Sequence, residues 1–208
     1  LSYDPEDYRT YFSLGWSYDR TDFEKAEEMF LKSLELNPRN FRAWNGLGWS
    51  LEHQQRVEEA IDAFSESLTI VPNADAYSGL GVSYYLLGDY PKAIENFNKE
   101  SGTSYSKKNH GNLGLGWAYY RMAEYQKAAN YFSSIEHPGS GTYVGLIASN
   151  YALGKTDTAN QMVQMVDLNR VGPHQNKRLI NKNFIDCAAE KTAKVIYECA
   201  NKDVRFGP

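Results

Sequence analysis

The chain has 208 residues, a formal charge of −4 and an isoelectric point near 5.6. That mildly acidic balance supplies neither the basic stripe that binds nucleic acid nor the polybasic cluster that holds anionic membrane. Apolar content of 42%, with 14% aromatic, is ample for a packed core and excludes wholesale disorder, and no apolar run is long enough to span a bilayer.

The first residues, LSYDPEDY, are acidic and lack the basic and apolar regions of a signal peptide. The chain opens on Leu rather than Met, as expected of a fragment or mature product, so the compartment stays open between cytoplasm and periplasm. From residue 8 onward one pattern returns. A glycine recurs at Gly15, Gly48, Gly81 and Gly116, spaced 33, 33 and 35 residues apart. An alanine recurs at Ala26, Ala60, Ala93, Ala128 and Ala159, and four residues after each comes Phe30, Phe64, Phe97, Phe132 or Val163. Three columns with one period near 34 are the mark of a repeat array.

Each unit predicts two helices. In the first, an aromatic, Leu-Gly and then Leu or Tyr fall at offsets of three, four and seven, as in Trp44, Leu47, Gly48 and Leu51, on one helical face. A short turn follows (RTD, HQQR, LGD, MAE, LGKTD), then a second helix with Ala and Phe one turn apart. Asp4 before Pro5, Asn40 before Phe41 and Asp89 before Tyr90-Pro91 are expected N-caps, and Asn37-Pro38 and Val71-Pro72 close second helices. Glycine inside a helix costs on the order of 1 kcal/mol relative to alanine, so the glycine column needs a packing reason, and close approach of two helices supplies one. No segment reads as a strand.

Two decoys need weighing. Gly154-Lys155-Thr156 ends like a phosphate-binding loop, but Ser149 stands where the first glycine is required and no strand precedes it. GSGTYVG at 139–145 mimics a dinucleotide loop with the wrong last spacing. His53, His110, His137 and His174 are scattered without metal-ligand spacing, and no nucleophile–base or paired-carboxylate arrangement is present. The expectation is therefore no catalytic residue, no metal and no cofactor.

From Pro173 the repeat columns stop. Ile180, Phe184, Cys187, Ala188, Val195 and Cys199 make one helical stripe, widened by Ile185 and Ile196, which predicts a helix that caps the fifth unit. The breadth of that apolar arc leaves open a contact with a further domain or self-association through this helix. Cys187 and Cys199, twelve residues apart in one helix, would lie about 18 Å apart at about 1.5 Å per residue. That distance exceeds the roughly 7 Å a disulfide allows between Cα atoms, so the two are not expected to bridge.

The pattern resembles the tetratricopeptide repeat. The second unit carries it as Trp44, Leu47, Gly48, Leu51, Val57, Ala60, Phe64, Ser67 and Pro72, and the third as Tyr77, Leu80, Gly81, Tyr84, Gly88, Tyr90, Ala93 and Phe97. The first (Tyr11, Leu14, Gly15, Tyr18, Phe23, Ala26, Phe30, Ser33, Pro38) is one residue short in its turn. The fourth has Asn112 at the usual aromatic, and the fifth has Ile147 for glycine. The resemblance covers residues 8 to about 170. It implies an all-α, right-handed α-α superhelix, or solenoid, of about five helix pairs. The repeat array would run over 1–172, with units at about 8–40, 41–73, 74–108, 109–139 and 140–172, and the capping helix and tail over 173–208.

The resemblance also implies a concave groove lined by one face of the first helices. The residue after the motif glycine lies about 100° further round that helix, which puts Trp16, Trp49, Val82, Trp117 and Ala148 on the inner side. Beside them fall Arg9, Phe12, Arg20, Arg42, Asn45, His53, Ser78, Tyr85, Leu113, Tyr120, Arg121, Val144 and Tyr151. If the tryptophans anchor a ligand, Trp16, Trp49 and Trp117 are partly exposed and Trp44, at the core aromatic position, is buried. If they fill the inner wall between neighbouring first helices, they are buried themselves. Arg9, Arg20, Arg42 and Arg121 against Asp19, Glu52 and Asp75 make the groove near neutral. The family's clamp for a carboxyl terminus is absent, since its positions hold Phe12, Trp16 and Gly46. These features imply a non-catalytic interaction scaffold that takes an apolar peptide segment of a protein partner, without nucleic acid and without a membrane span. The rival reading is a glycan-binding or envelope polysaccharide-export module, since indole faces suit sugar rings.

Overall fold

A computed structural model describes residues 7–19, 21–101, 108–165 and 192–201. These residues form helices and no strand. In chain order the helices are α1 (Tyr8–Tyr18), α2 (Phe23–Leu36), α3 (Phe41–His53), α4 (Val57–Ile70), α5 (Ala74–Leu86), α6 (Tyr90–Ser101), α7 (Lys108–Arg121), α8 (Tyr125–Ser133), α9 (Ser140–Ala152), α10 (Thr156–Met165) and α11 (Ala193–Asn201). Short turns force consecutive helices back on each other. The first helices α1, α3, α5, α7 and α9 also touch their like neighbours along one side, and the stack is an α-α superhelix. No described helix is long and apolar enough to cross a membrane.

Caps set the helix starts. Asp7, not Asp4, caps α1 by accepting from the Arg9 amide at 2.9 Å, and Asp4 lies outside the described residues. Asp22, Asn73 and Asp89 do the same for α2, α5 and α6. Asn40 precedes α3, but its side chain makes no capping bond. It donates instead to Ser33 at 3.5 Å.

The repeat's core is a phenylalanine held between two glycines. A Cβ on Gly15 would lie 2.6 Å from Phe30 Cε1, and one on Gly46 would lie 2.5 Å from the same atom. Phe64 sits likewise between Gly48 and Gly79, Phe97 between Gly81 and Gly114, and Phe132 between Gly116 and Gly145. Each ring thus fills a slot made by the first helix of its own unit and the first helix of the next. All four rings are buried. Truncating such a ring costs about 3–5 kcal/mol, so this slot is the main bond between units.

Polar ties reinforce the joints. Asn73 Nδ2 donates to Ser67 Oγ at 3.0 Å while its Oδ1 accepts from Asn45 Nδ2 at 3.0 Å, joining α3, α4 and the start of α5. Glu27 accepts from Gln54 at 2.7 Å and from Arg56 at 2.8 Å, tying α2 to the α3–α4 turn.

The C-terminal region differs from its sequence expectation. The helix carrying Cys199 begins at Ala193, so no single helix runs through both cysteines. Cys199 is disulfide-bonded, which overturns the expectation of two unbridged thiols. A separation of about 18 Å holds only along an unbroken helix, and the helix carrying Cys199 starts after Cys187. Cys187, the other cysteine of the chain, lies outside the described residues.

Candidate functional site

The first helices present a repeated inner face, and its two ends differ. On α1, Arg9 is exposed with its guanidinium 5.6 Å from the Tyr8 ring centre, Phe12 is half-buried, and Trp16 is 38% exposed. Trp16 makes T-shaped contacts with Phe12 and Phe30, with ring centres 6.3 and 5.5 Å away. Arg20 lies outside the described residues. On α3, Arg42 is exposed, and His53 is half-buried with its ring stacked on Phe23 at 4.4 Å.

The other tryptophans that follow the motif glycine do not anchor an open surface. Trp49 and Trp117 are each 5% exposed, and Val82 and Ala148 are buried, so there is no exposed ladder. Trp49 lies edge-on to Phe64 at 5.0 Å, and its Nε1 donates to Asp75 Oδ1 at 3.0 Å. Trp117 meets Phe132 edge-on at 5.3 Å. A wheel gives the direction in which a side chain leaves the helix. It does not show that a bicyclic ring folds back over the core phenylalanine and reaches the next unit. Only the first-unit copy is exposed. Trp44 reverses the expectation too: it is half-buried, and its Nε1 donates to Pro38 O at 2.9 Å.

Asn45, Tyr85, Leu113 and Tyr120 are buried, so these four are part of the wall rather than an open surface. Burial pushes both the Tyr85 and Tyr120 phenols well above their ordinary value. Ser78, Arg121 and Tyr151 are half-buried, and Arg121 Nε donates to Tyr90 Oη at 3.2 Å.

The described charged residues of this face divide by depth. Arg9 and Arg42 are exposed, whereas Asp19 and Glu52, three residues after Trp16 and Trp49, are 7% and 8% exposed. Glu100 on α6, which sequence reasoning missed, is buried near Asp75 and Ser78. Burial, aided by the Asp75 charge and opposed by a Ser78 hydrogen bond, pushes its carboxyl up to about 7.

The last helix belongs to this face as well. α11 packs on α9 and α10, with Asn160 Oδ1 accepting from the Ala193 amide at 3.3 Å. It also reaches two inner-face residues. The Tyr120 hydroxyl donates to Asn201 Oδ1 at 3.4 Å, and the Tyr151 ring lies 5.2 Å from that of Tyr197. A plain end cap would not touch the fourth unit's inner wall.

Stacked helix pairs that bury one phenylalanine per joint and expose an inner curved face define a helical-repeat scaffold. Tetratricopeptide repeat profiles match residues 17–75, 74–99 and 112–140. The chain belongs to the tetratricopeptide repeat family, a family of protein–protein interaction scaffolds. No curated protein sequence matches it. Among solved structures it is similar to PilW, a type IV pilus biogenesis factor, at 17% identity and a TM-score of 0.72 over 92% of this chain and 90% of that one. It is similar to PilF of Pseudomonas aeruginosa at 18% identity and 0.71 over 93% and 88%. YrrB, described as a repeat protein with an unusual peptide-binding site, matches at 16% identity and 0.61 over 83% and 90%. At these identities the likeness is one of fold.

Proposed function

We propose that the chain is a non-catalytic scaffold that holds a peptide segment of a protein partner along the concave face of α1, α3, α5 and α7. The observation that carries this reading is the repeated register of that face. Each helix sets an aromatic or apolar residue at one level (Trp16, Trp49, Val82, Trp117) and a polar-tipped one a turn on (Asp19, Glu52, Tyr85, Tyr120). Most of these side chains are buried and build a wall of repeated register, and a peptide lying along it meets the open first-unit end and the rim. Phe12 and Trp16 form the most open anchor, and Arg9, Arg42, His53, Ser78, Arg121 and Tyr151 line the rim.

The test is a titration of intrinsic tryptophan fluorescence with apolar peptides and, separately, with oligosaccharides. Saturable change with peptides supports the reading. Saturable change with sugars alone would establish the glycan-binding alternative instead. The disulfide at Cys199 favours an oxidising compartment, the periplasm over the cytoplasm. Thiol titration of the denatured, unreduced chain should then find no free cysteine.

A further inference from the structure

We propose that α11 is a resident ligand of the groove: it lies across the fourth- and fifth-unit part of the inner wall as a partner helix would, and a partner reaches that part by displacing it. The inference rests on the groove reading above and names the kind of segment the site takes.

The packing of α11 is not that of another repeat unit. In the array each first helix packs mainly on the second helix before it and touches the preceding first helix along one side only. α11 reverses that order, packing mainly on α9 and only slightly on α10. It is therefore displaced toward α9 from the place a sixth first helix would fill.

Its contacts follow a path across the array. At the start of α11 the Ala193 amide donates to Asn160 on α10. Midway, the Tyr197 ring lies against Tyr151 near the end of α9, and its hydroxyl pairs with that of Tyr125 at the start of α8. At the end, Asn201 accepts from the Tyr120 hydroxyl near the end of α7. The nine residues of α11 span about 13 Å at about 1.5 Å each, roughly one step between packed helices about 8–10 Å apart. α11 thus crosses from the fifth unit to the fourth. Tyr120 and Tyr151 hold the same place in their units, eight residues after Asn112 and Tyr143, and Tyr85 holds it in the third, eight after Tyr77. The helix follows this row.

The face that α11 turns to the array has the spacing of a helix in a groove. Ala193, Ile196, Tyr197 and Ala200 fall at i, i+3, i+4 and i+7, the anchors by which a groove reads an amphipathic helix. Ala193, Ile196 and Ala200 are buried, and Tyr197 is half-buried. The alanines let the backbone come close, while Tyr197 and Asn201 meet hydroxyls of the wall. Lys194 and Glu198 are exposed and paired with each other, which leaves the polar side of the helix to water. The partner for this part of the groove is accordingly a short amphipathic helix, with small or aliphatic residues at i, i+3 and i+7 and an aromatic at i+4.

Full chains and a fluorescein-labelled peptide of residues 192–201, carrying Cys199→Ser to prevent disulfide exchange, test this by fluorescence anisotropy. Ile196→Asp puts a carboxylate into the α11 contact and should release the helix. The peptide is expected to bind this variant at least tenfold more tightly than the native chain, whose site is filled, while hydrogen exchange shows α7 and α9 still protected. No gain in a folded variant overturns the proposal. Loss of protection throughout α9 and α10 overturns it too, since α11 would then be an integral part of the fifth unit. Should the whole array unfold, Tyr197→Ala/Asn201→Ala decides, because it trims only the flank of the contact: a gain of at least threefold supports the proposal, and no gain overturns it. Adding Tyr151→Ala to the variant that gains should weaken the peptide at least fivefold. An unchanged affinity there places the peptide off the inner wall and overturns the proposal. None of these readouts uses an outside partner, so a failed titration with apolar peptides counts against the proposed function, and a failed displacement counts against α11 alone.

Discussion

Trp49 on α3 donates its indole proton to Asp75 on α5 at 3.0 Å, and its ring lies across Phe64. The contact joins the second and third units through side chains that each face the groove in a helical projection. Trp49→Ala should therefore act on folding, costing about 3–5 kcal/mol as for a buried aromatic. Trp44→Ala, at a half-buried ring, should cost less, about 1–3 kcal/mol. Trp16→Ala should cost under about 1 kcal/mol, as a surface change does. Urea melts of the three variants check the order. If Trp44→Ala is the least stable, the assignment of Trp49 to the wall is wrong.

The glycine slots make a sharper claim. Gly46→Ala puts a methyl 2.5 Å from Phe30 Cε1, so the buried ring or a helix must shift. Overpacking of this kind costs about 1–3 kcal/mol. Phe30→Leu in the same chain should recover part of that loss, so the two changes will not add. A double-mutant cycle by denaturant melts gives the coupling, and strict additivity would contradict the slot.

Gln55 and Ala123 occupy left-handed backbone at φ 62° and 59°, at the turns where the third and fifth units place Gly88 (φ 79°) and Gly154 (φ 76°). A side chain is disfavoured there by about 1–2 kcal/mol, part of which is offset by the greater freedom of an unfolded glycine. Gln55→Gly and Ala123→Gly should each stabilise the chain by about 0.5–1 kcal/mol. Thermal melts showing a loss at both sites would refute this.

Much of the fold is legible in the sequence because its period is written in small residues, which tolerate no substitute where helices close on a ring. The column Gly15, Gly48, Gly81 and Gly116 and the Ala-Phe column sufficed for the helix pairs. A second column, Gly46, Gly79, Gly114 and Gly145, is equally visible in the sequence and marks where each phenylalanine meets the next unit. The site was less legible. A helical wheel is a projection of one helix, whereas the burial of Trp49, Asp19 and Glu52 depends on neighbours many residues away. The return of α11 to Tyr120 and Tyr151 is a tertiary fact with no local signature.

Glu100 sets a pH signature. Its folded value of about 7 stands above the ordinary 4.5 because burial disfavours the charged form, with Asp75 adding to the effect and Ser78 opposing it. The folded state therefore holds a proton that the unfolded state has released between those values, and stability falls as pH rises from about 4.5 to 7. Glu100→Gln should remove this slope and gain on the order of 2–3 kcal/mol over the native chain at pH 8. Melts from pH 4.5 to 8 on both chains decide it. Parallel curves would mean that Glu100 titrates normally.

The central claim is that the inner face of the first helices is where a protein segment binds. Amide hydrogen exchange tests it most directly, on the full chain with and without a peptide selected from a random library for binding to it. The account predicts added protection in α1, α3, α5 and α7 when the peptide binds. Protection confined to α2, α4, α6 and α8, on the outer face, would contradict it.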